Sequence, residues 1–545
     1  MSGCQFPSPV LSVQLERSTS SALKAQPSIS CLGTFASSSF VVSPQDAHTV
    51  AAFFRMDTRP RLPHDVLLNV ASFADRKSIL ALLTTTRSLH SDGGKYVVQD
   101  PVTLDGNQDI VSFIYFMRPY KHKRWRHLRF LHLRDAPISP GVAKALAKAI
   151  PRASHLSYLE FEDAEKTLGA HPDLPLAFAA LRAVKDIVID HGYHHTCRML
   201  EAMKWPLESA ELKHSDHEFD RDCRHRIHPA ALLKNSQATL KTLECSLWSD
   251  FDDVLDTYPV YPHLESLHVE IWCPSVAHWA VSYPNLKRLH VNTLDDLFMK
   301  EANEDQLDRY AAIRSHNLEE HMAQEQQWVE LDEFDGHTAL DLYLLGLPCR
   351  VRAVSFALCP SSLRFFAPAM ETARPTALTV FITSELFSQP VPTYLEDPGL
   401  VDVKALGIDV QVWAGGTAGD VDVTHVDRFL EHVLRLLQQA SAQRFSLCLE
   451  VERLDDPPLS DYDTDDQDER RLRPPAPPRA VSPIETWING TDLGALVRRF
   501  HDEVPSLDWV QFSVKAPFIS CRKEAESSGR LAPEEQLLDT SLPVP

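Results

Sequence analysis

The stretch LESLHVEIWCPSVAHWAVSYPNLKRLHV, residues 264–291, opens and closes on one six-residue pattern: Leu, two residues, Leu, one residue, an apolar residue. LESLHV (264–269) and LKRLHV (286–291) alternate apolar and polar positions, the mark of a strand that buries one face. The pattern recurs as LRFLHL (128–133), LSYLEF (156–161) and LESAEL (207–212). Looser copies are LRAVKDIVI (181–189), LKTLECSL (240–247) and VRAVSF (351–356). The starts at 128, 156, 181, 207, 240, 264 and 286 lie 22–33 residues apart, mostly inside the ~20–29-residue period of a repeated strand–helix unit. Between them, GVAKALAKAI (141–150) and PAALLKNSQATL from Pro229 read as amphipathic helices. Further strands follow in ALTVFI (377–382), VDVKALGIDVQVW (401–413), RFSLCLEV (444–451) and LDWVQFSV (507–514). Strand, turn and helix in repetition predict a curved parallel sheet with helices outside; an ordinary α/β sheet is the alternative.

Ahead of the array, residues 61–90 read RLPHDVLLNVASFADRKSILALLTTTRSLH. Pro63 suits a first helical turn, where its missing N–H is not needed, and Asp65 complements the helix dipole. Val66, Leu67, Val70 and Phe73 recur at three- and four-residue spacing as one apolar face. Asp75 or Ser78 can cap a second helix carrying Ile79, Leu80, Leu82, Leu83 and Leu89, with Gly93-Gly94 ending it. Two such short helices bury too little to stand alone.

Leu62-Pro63, Asp65, Leu67, Leu68, Val70, Phe73, Ile79, Leu80, Leu83, Thr85, Arg87 and Leu89 stand where the F-box motif has its Leu-Pro, acid, two leucine-rich helices and closing Thr-x-Arg-x-Leu. The stretch thus resembles an F-box over about 30 residues, departing from it at Ala71, Ala74 and Thr86. Together with the array, residues 60–520 resemble F-box proteins with C-terminal leucine-rich-type repeats, although the Asn or Cys ladder of regular repeats is missing. The resemblance implies an α/β chain: a short all-α F-box-like module, then an irregular leucine-rich-repeat-like strand–helix solenoid. It implies docking of a Skp-type adaptor and cullin complex through Leu62, Pro63, Leu67, Leu68, Val70, Ile79, Leu80 and Leu83, with a protein substrate held by the repeats.

The expected organisation is a disordered leader (1–55), the helical module (56–100), the array (101–520) and a disordered tail (521–545). Met56 is an alternative translation start. Two insertions interrupt the array. Residues 294–335 form a polar helical stretch, and residues 452–480 open with nine carboxylates and one Arg in 18 residues before turning Pro-rich. Such a run repels itself and reads as a solvated spacer. Ser460, Thr464 and Ser482 are candidate phosphorylation sites within or beside it.

The 545 residues carry a net charge of −21, which speaks against nucleic acid as a partner. No uncharged apolar run reaches the ~18 residues of a membrane span, and no signal-like start is present, so a cytoplasmic or nuclear protein is expected. Ten scattered cysteines show no CxxC pair. HSDHEFDRDCRHRIH, with His214, His217, Asp220, Cys223, His225 and His228, is the densest metal-like cluster. Its arginines and its spacing argue for a loop between repeats, as at His191, His194 and His195. Gly415-Gly416 reads as a turn. KHKRWRHLR (121–129), the one basic patch, reads as the exposed lead into the first strand, with an anionic partner as the rival. Phosphate cradles, nucleophile elbows and zinc helices are missing from the sequence, so no cofactor, metal or catalytic residue is assigned. The expectation is a non-enzymatic substrate-recognition subunit of an SCF-type E3 ubiquitin ligase. Its alternative is a leucine-rich interaction scaffold unrelated to ubiquitin, and a weaker one an α/β enzyme with an unrecognised site.

Overall fold

A strand with one apolar side needs a neighbour on each flank, because its backbone N–H and C=O groups require partners. In the computed structural model of the chain, each such strand finds its neighbours immediately before and after it in sequence. The structure describes residues 62–135, 137–214, 228–248, 259–271, 276–293, 304–325, 327–382, 386, 400–414, 423–453, 482–515 and 523–528. The chain divides into Met1–His64 and Asp65–Pro545. Of the first unit only residues 62–64 are described, and the architecture below is that of the second.

This is a mixed α/β unit built on one long sheet. Its strands are β1 (Val102–Leu104), β2 (Phe130–Leu133), β3 (Tyr158–Phe161), β4 (Asp186–Gly192), β5 (Ser209–His214), β6 (Thr242–Trp248), β7 (Ser266–Ile271) and β8 (Arg288–Thr293). They continue with β9 (Glu330–Thr338), β10 (Arg350–Leu358), β11 (Ala377–Ile382), β12 (Ala405–Ala414), β13 (Arg444–Arg453), β14 (Trp509–Lys515) and β15 (Lys523–Ser528). Their order in the sheet is their order in the chain. All pairings up to β14 are parallel, and β15 returns antiparallel on β14.

Alternation fixes the register. Leu267, Val269 and Ile271 of β7 are buried beside Leu289 and Val291 of β8, while the residues between them stay partly exposed. The buried side chains join those of the intervening helices, such as Leu146, Met199, Trp279 and Phe366, in one continuous apolar core. Each fully buried Leu or Phe contributes about 1.5–3 kcal/mol. A one-residue slip in any strand would turn its apolar set outward.

A second ladder fixes where each strand begins. Lys185 N–H donates to Ser157 O, Glu208 N–H to Lys185 O, Lys241 N–H to Glu208 O, Glu265 N–H to Lys241 O, and Lys287 N–H to Glu265 O. The side chains along this row alternate in sign from Lys185 to Arg352. Lys185 and Lys241 both reach Glu208, at 2.5 and 2.7 Å, and Lys287 reaches Glu265 at 3.0 Å. The two ammonium groups hold the Glu208 carboxyl down to about 2. Where regular repeats carry an Asn ladder, this chain has main-chain bonds and alternating charges.

Each strand segment quoted above overlaps one of β2–β8 or β10–β14. The reading missed β1, only three residues long, and two strands with little apolar alternation. β9 (ELDEFDGHT) begins within the expected 294–335 insertion and runs past its end, joining the sheet between β8 and β10. β15 falls in the 521–545 segment expected as disordered tail. It forms because it pairs with β14 and because Trp509 Nε1–H donates to Glu526 at 2.8 Å. The polar helix expected in 294–335 is Glu304–Ala323. The helix expected from Pro229 is shorter, Pro229–Leu232 followed by a 3-10 turn at Lys234–Ser236. The 1–55 leader, Met56, Gly415-Gly416 and residues 454–480 of the acidic run lie outside the described residues.

One buried carboxylate ties β8 to the unit that follows. Asp341, fully buried in the helix Ala339–Leu345, accepts from Thr293 N–H at 2.9 Å, from the Thr293 hydroxyl, and from Thr338 N–H at 2.7 Å. Asp341→Ala orphans these donors and is expected to cost about 2–4 kcal/mol in urea unfolding. A loss below about 0.5 kcal/mol would show that the carboxylate is not a structural tie.

Candidate partner-docking surfaces

The N-terminal helices form as their caps dictate. His64–Phe73 is the first described helix. Asp75 then caps Arg76–Thr85, accepting from Ser78 N–H at 2.8 Å, and that bond holds its carboxyl below the usual range. Thr86 is extended, at φ −144°, and its hydroxyl accepts from Leu89 N–H at 3.1 Å to start Arg87–Asp92. The second helix, expected to run through Leu89, therefore breaks at Thr86, and Gly93 is followed by the short helix Gly94–Val97.

The expected docking residues do not share one face. Ile79 and Leu83 are buried and pack with Val97 in a small core that Leu80, Tyr96 and Phe116 border. They serve the chain's own packing, because the second helix lies against the residues that lead into the sheet. Leu67, Leu68 and Leu80 are half-buried. Leu62 and Pro63 are exposed. On His64–Phe73 the outward apolar residues are Val66 at 39%, Val70 at 48% and Phe73 at 86% exposure. Three- and four-residue spacing aligns these three on one side of the helix. Spacing alone had grouped Val66 and Phe73 with Val70, but it could not say which side of the pair faces inward.

The basic patch leads into β2 with Lys123, Arg126 and Arg129 exposed, but its Arg124 is an internal clamp. Residues 120–127 form a 3-10 helix in which Arg124 and Trp125 are buried. Arg124 donates to Phe116 O at 2.6 Å and to His90 O, and its guanidinium lies 4.3 Å from the centre of the Phe116 ring. It thus bonds the Arg87–Asp92 helix to the helix Gly106–Met117. Gly94 is required beside it, because a Cβ there would overlap the guanidinium. Arg124→Met is expected to raise amide exchange in residues 87–97 by about tenfold while β7 and β8 keep their protection. Unchanged exchange in residues 87–97 would remove the clamp.

The second surface is the open side of the sheet. Parallel register lines up His132, Glu160, Val188, Glu211, Glu244, His268, His290 and Asp335 on successive strands β2–β9. His132 lies 3.0 Å from Glu162, His268 3.4 Å from Glu244, and His290 2.8 Å from Asp335. The His268 and His290 rings meet edge to face, 3.9 Å between centres. The His268 contact holds the Glu244 carboxyl below its usual range. Tyr158 donates to Glu160 at 3.0 Å, and burial beside that carboxylate pushes its phenol up to about 12. Phe130 and Phe381 stand exposed on this side. Such a surface offers hydrogen bonds, ion pairs and aromatic anchors.

The histidine-rich stretch is described only at its ends. His214 is buried, its ring against Gly192 O at 3.1 Å, and His228 caps Pro229–Leu232 through its ring nitrogen. His217, Asp220, Cys223 and His225 lie outside the described residues, among which no group of His, Cys, Asp or Glu could hold a metal ion. His191 and His194–His195, taken as loop, belong to β4 and to the helix His194–Ala202. That helix's first N–H groups are capped by Glu165, which accepts from His195 N–H at 2.9 Å. Ser482 caps Pro483–Gly490 in a reciprocal pair with Glu485; Ser460 and Thr464 lie outside the described residues. Among the described residues no helix is long and apolar enough to cross a membrane. No protein-family model matches the chain, and no curated protein matches it closely.

Burial lowers the proton affinity of His214, and of His90 and His321 as well. A histidine whose folded value lies below its unfolded one contributes full stability above about pH 6.5 and loses it as the pH falls, because the unfolded chain takes the proton first. The urea midpoint is expected to drop between about pH 7.5 and 5.5, and His214→Gln is expected to shrink that drop. A midpoint equally steep in the variant would exclude His214 as a source.

Proposed function

We propose that this chain is a non-enzymatic substrate-recognition subunit of an SCF-type E3 ubiquitin ligase. The observation that carries the proposal is the division of the N-terminal helices. Arg76–Thr85 is packed through Ile79 and Leu83, and Arg124 bonds the Arg87–Asp92 helix to Gly106–Met117, while His64–Phe73 presents Val66, Val70 and Phe73 to solvent. Monomeric proteins rarely leave aligned large apolar residues uncovered without a partner for them. In this reading Val66, Val70 and Phe73, flanked by Leu67 and Leu68, receive the Skp-type adaptor. The strands behind them stack as an irregular leucine-rich-type solenoid. Their open side, with Phe130, Tyr158 and the His–carboxylate row, holds a protein substrate. Aromatic anchors within a polar surround suit such a partner. The chain would act by proximity, raising the local concentration of the substrate's lysines at the ligase.

A second reading rests on Ile79 and Leu83. Their burial lets the module shield the open end of the array, as a cap would in a scaffold without a ubiquitin connection. Adaptor capture separates the two. Val70→Asp with Phe73→Ser is expected to abolish co-purification with the adaptor and cullin while changing stability by less than about 0.5 kcal/mol, since both positions are exposed. Ile79→Ala is expected to cost about 2–4 kcal/mol. If the Val70/Phe73 variant still captures the adaptor, or the unaltered chain captures none, the scaffold reading stands instead.

A further inference from the structure

The helix Glu304–Ala323, expected as part of an insertion, packs on Ala339–Leu345 through Tyr310 and through Asn317, whose side chain donates to Leu344 O at 2.8 Å. Its Arg314 stands at the wall of a cleft of about 690 Å³, lined also by Arg350, Arg374, Thr372, Glu371 and Asp402. Pockets that bind small ligands span roughly 300–1,000 Å³. We propose that this cleft binds the phosphate of a phosphomonoester, in a role separate from adaptor docking.

The neighbouring Arg352 is spent on carboxylates, pairing with Glu330 at 3.7 Å and with Asp332. The three arginines of the cleft differ. Among the described residues, every bond they make goes to a neutral oxygen. Arg314 donates to Tyr343 O at 3.2 Å and to the Thr372 hydroxyl at 2.8 Å, and it lies 4.6 Å from the centre of the Tyr343 ring. Arg350 donates through Nε to Arg374 O at 3.3 Å, and Arg374 through Nε to Glu371 O at 3.3 Å. These bonds position the guanidinium groups without neutralising them. Each retains N–H groups beyond those used, since a guanidinium carries five.

Part of this set caps the helix Leu363–Ala373, whose last carbonyls attract cations. Arg374 is the cap residue of that helix, its backbone N–H donating to Met370 O. It holds φ at +48°, the left-handed position that ends helices and favours glycine. A long cationic side chain at a strained backbone position points to a use for that side chain. Set against Glu371 and Asp402, the three arginines leave the lining net positive, and their guanidinium forks match the oxygens of a phosphate. Glu371, Asp402 and the Thr372 hydroxyl would accept hydrogen bonds from the hydroxyl or amide groups of the body carrying the phosphate. Phosphorylated peptides and small sugar phosphates share that chemistry.

The test is calorimetric titration of the full chain at low salt with a phosphoserine peptide, with glucose 6-phosphate, and with their unphosphorylated counterparts. The expected result is saturable binding of at least one phosphorylated probe and no binding of its counterpart; the probe bound more tightly identifies the source. Arg350→Gln is expected to weaken binding about tenfold or more. Arg374→Gly is decisive, because glycine relieves the left-handed backbone. Binding is expected to fall about tenfold while the melting temperature holds or rises. Three results overturn the proposal: no saturable binding below about 1 mM, equal binding of the unphosphorylated probes, or unaltered affinity in both variants.

Discussion

The structure depends on sharing backbone hydrogen bonds between strands that are consecutive in the chain. Each of β2–β14 is bonded on both sides, by the unit before it and the unit after it. No strand is stable alone, and each one added completes its predecessor. The helices and loops between strands are needed to return the chain for a parallel pairing, and they cover one side of the sheet with apolar residues. Among the described residues, most positions on the other side are at least partly exposed, and the row of side chains there is set by register alone.

The same economy governs the N-terminal module. Its helices are short, and some of their apolar residues attach them: Ile79, Leu83 and Leu89 face inward, and Arg124 bonds the Arg87–Asp92 helix to Gly106–Met117. Leu67, Leu68, Leu80 and Leu82 stay half-buried, and Val66, Val70 and Phe73 are exposed. Attachment rests on the second and third of these helices, and exposure is greatest on the first. The Arg314 cleft comes from a different source, a polar helix placed between two strands, with Asp341 joining β8 to the unit beyond it.

Most of the fold was legible because alternation and spacing are local. LESLHV and LKRLHV announced strands whose residues pair one to one in β7 and β8. β9 was illegible for the opposite reason: ELDEFDGHT is mostly polar, and it is a strand because β8 and β10 offer backbone partners on both sides. β15 likewise owes its existence to the edge of β14. The exposed apolar face of the first described helix was half legible. Periodicity put Val66, Leu67, Val70 and Phe73 together, but a helix pattern does not state which of them meet their own chain, and Leu67 is half-buried. In KHKRWRHLR charge pointed to solvent, which holds for Lys123, Arg126 and Arg129, whereas the Arg124 guanidinium finds carbonyl oxygens and an aromatic face in the interior.

By itself, then, the sequence determined the strand–helix order, the buried side of most strands and the cap at Asp75, since these follow from side chains within a few residues of one another. Tertiary structure decided the inward turn of Ile79 and Leu83, the recruitment of β9 and β15, the burial of Arg124, and the convergence of Arg314, Arg350 and Arg374 on one cleft. Those features join residues dozens of positions apart, and their energies exist only once the intervening chain has folded.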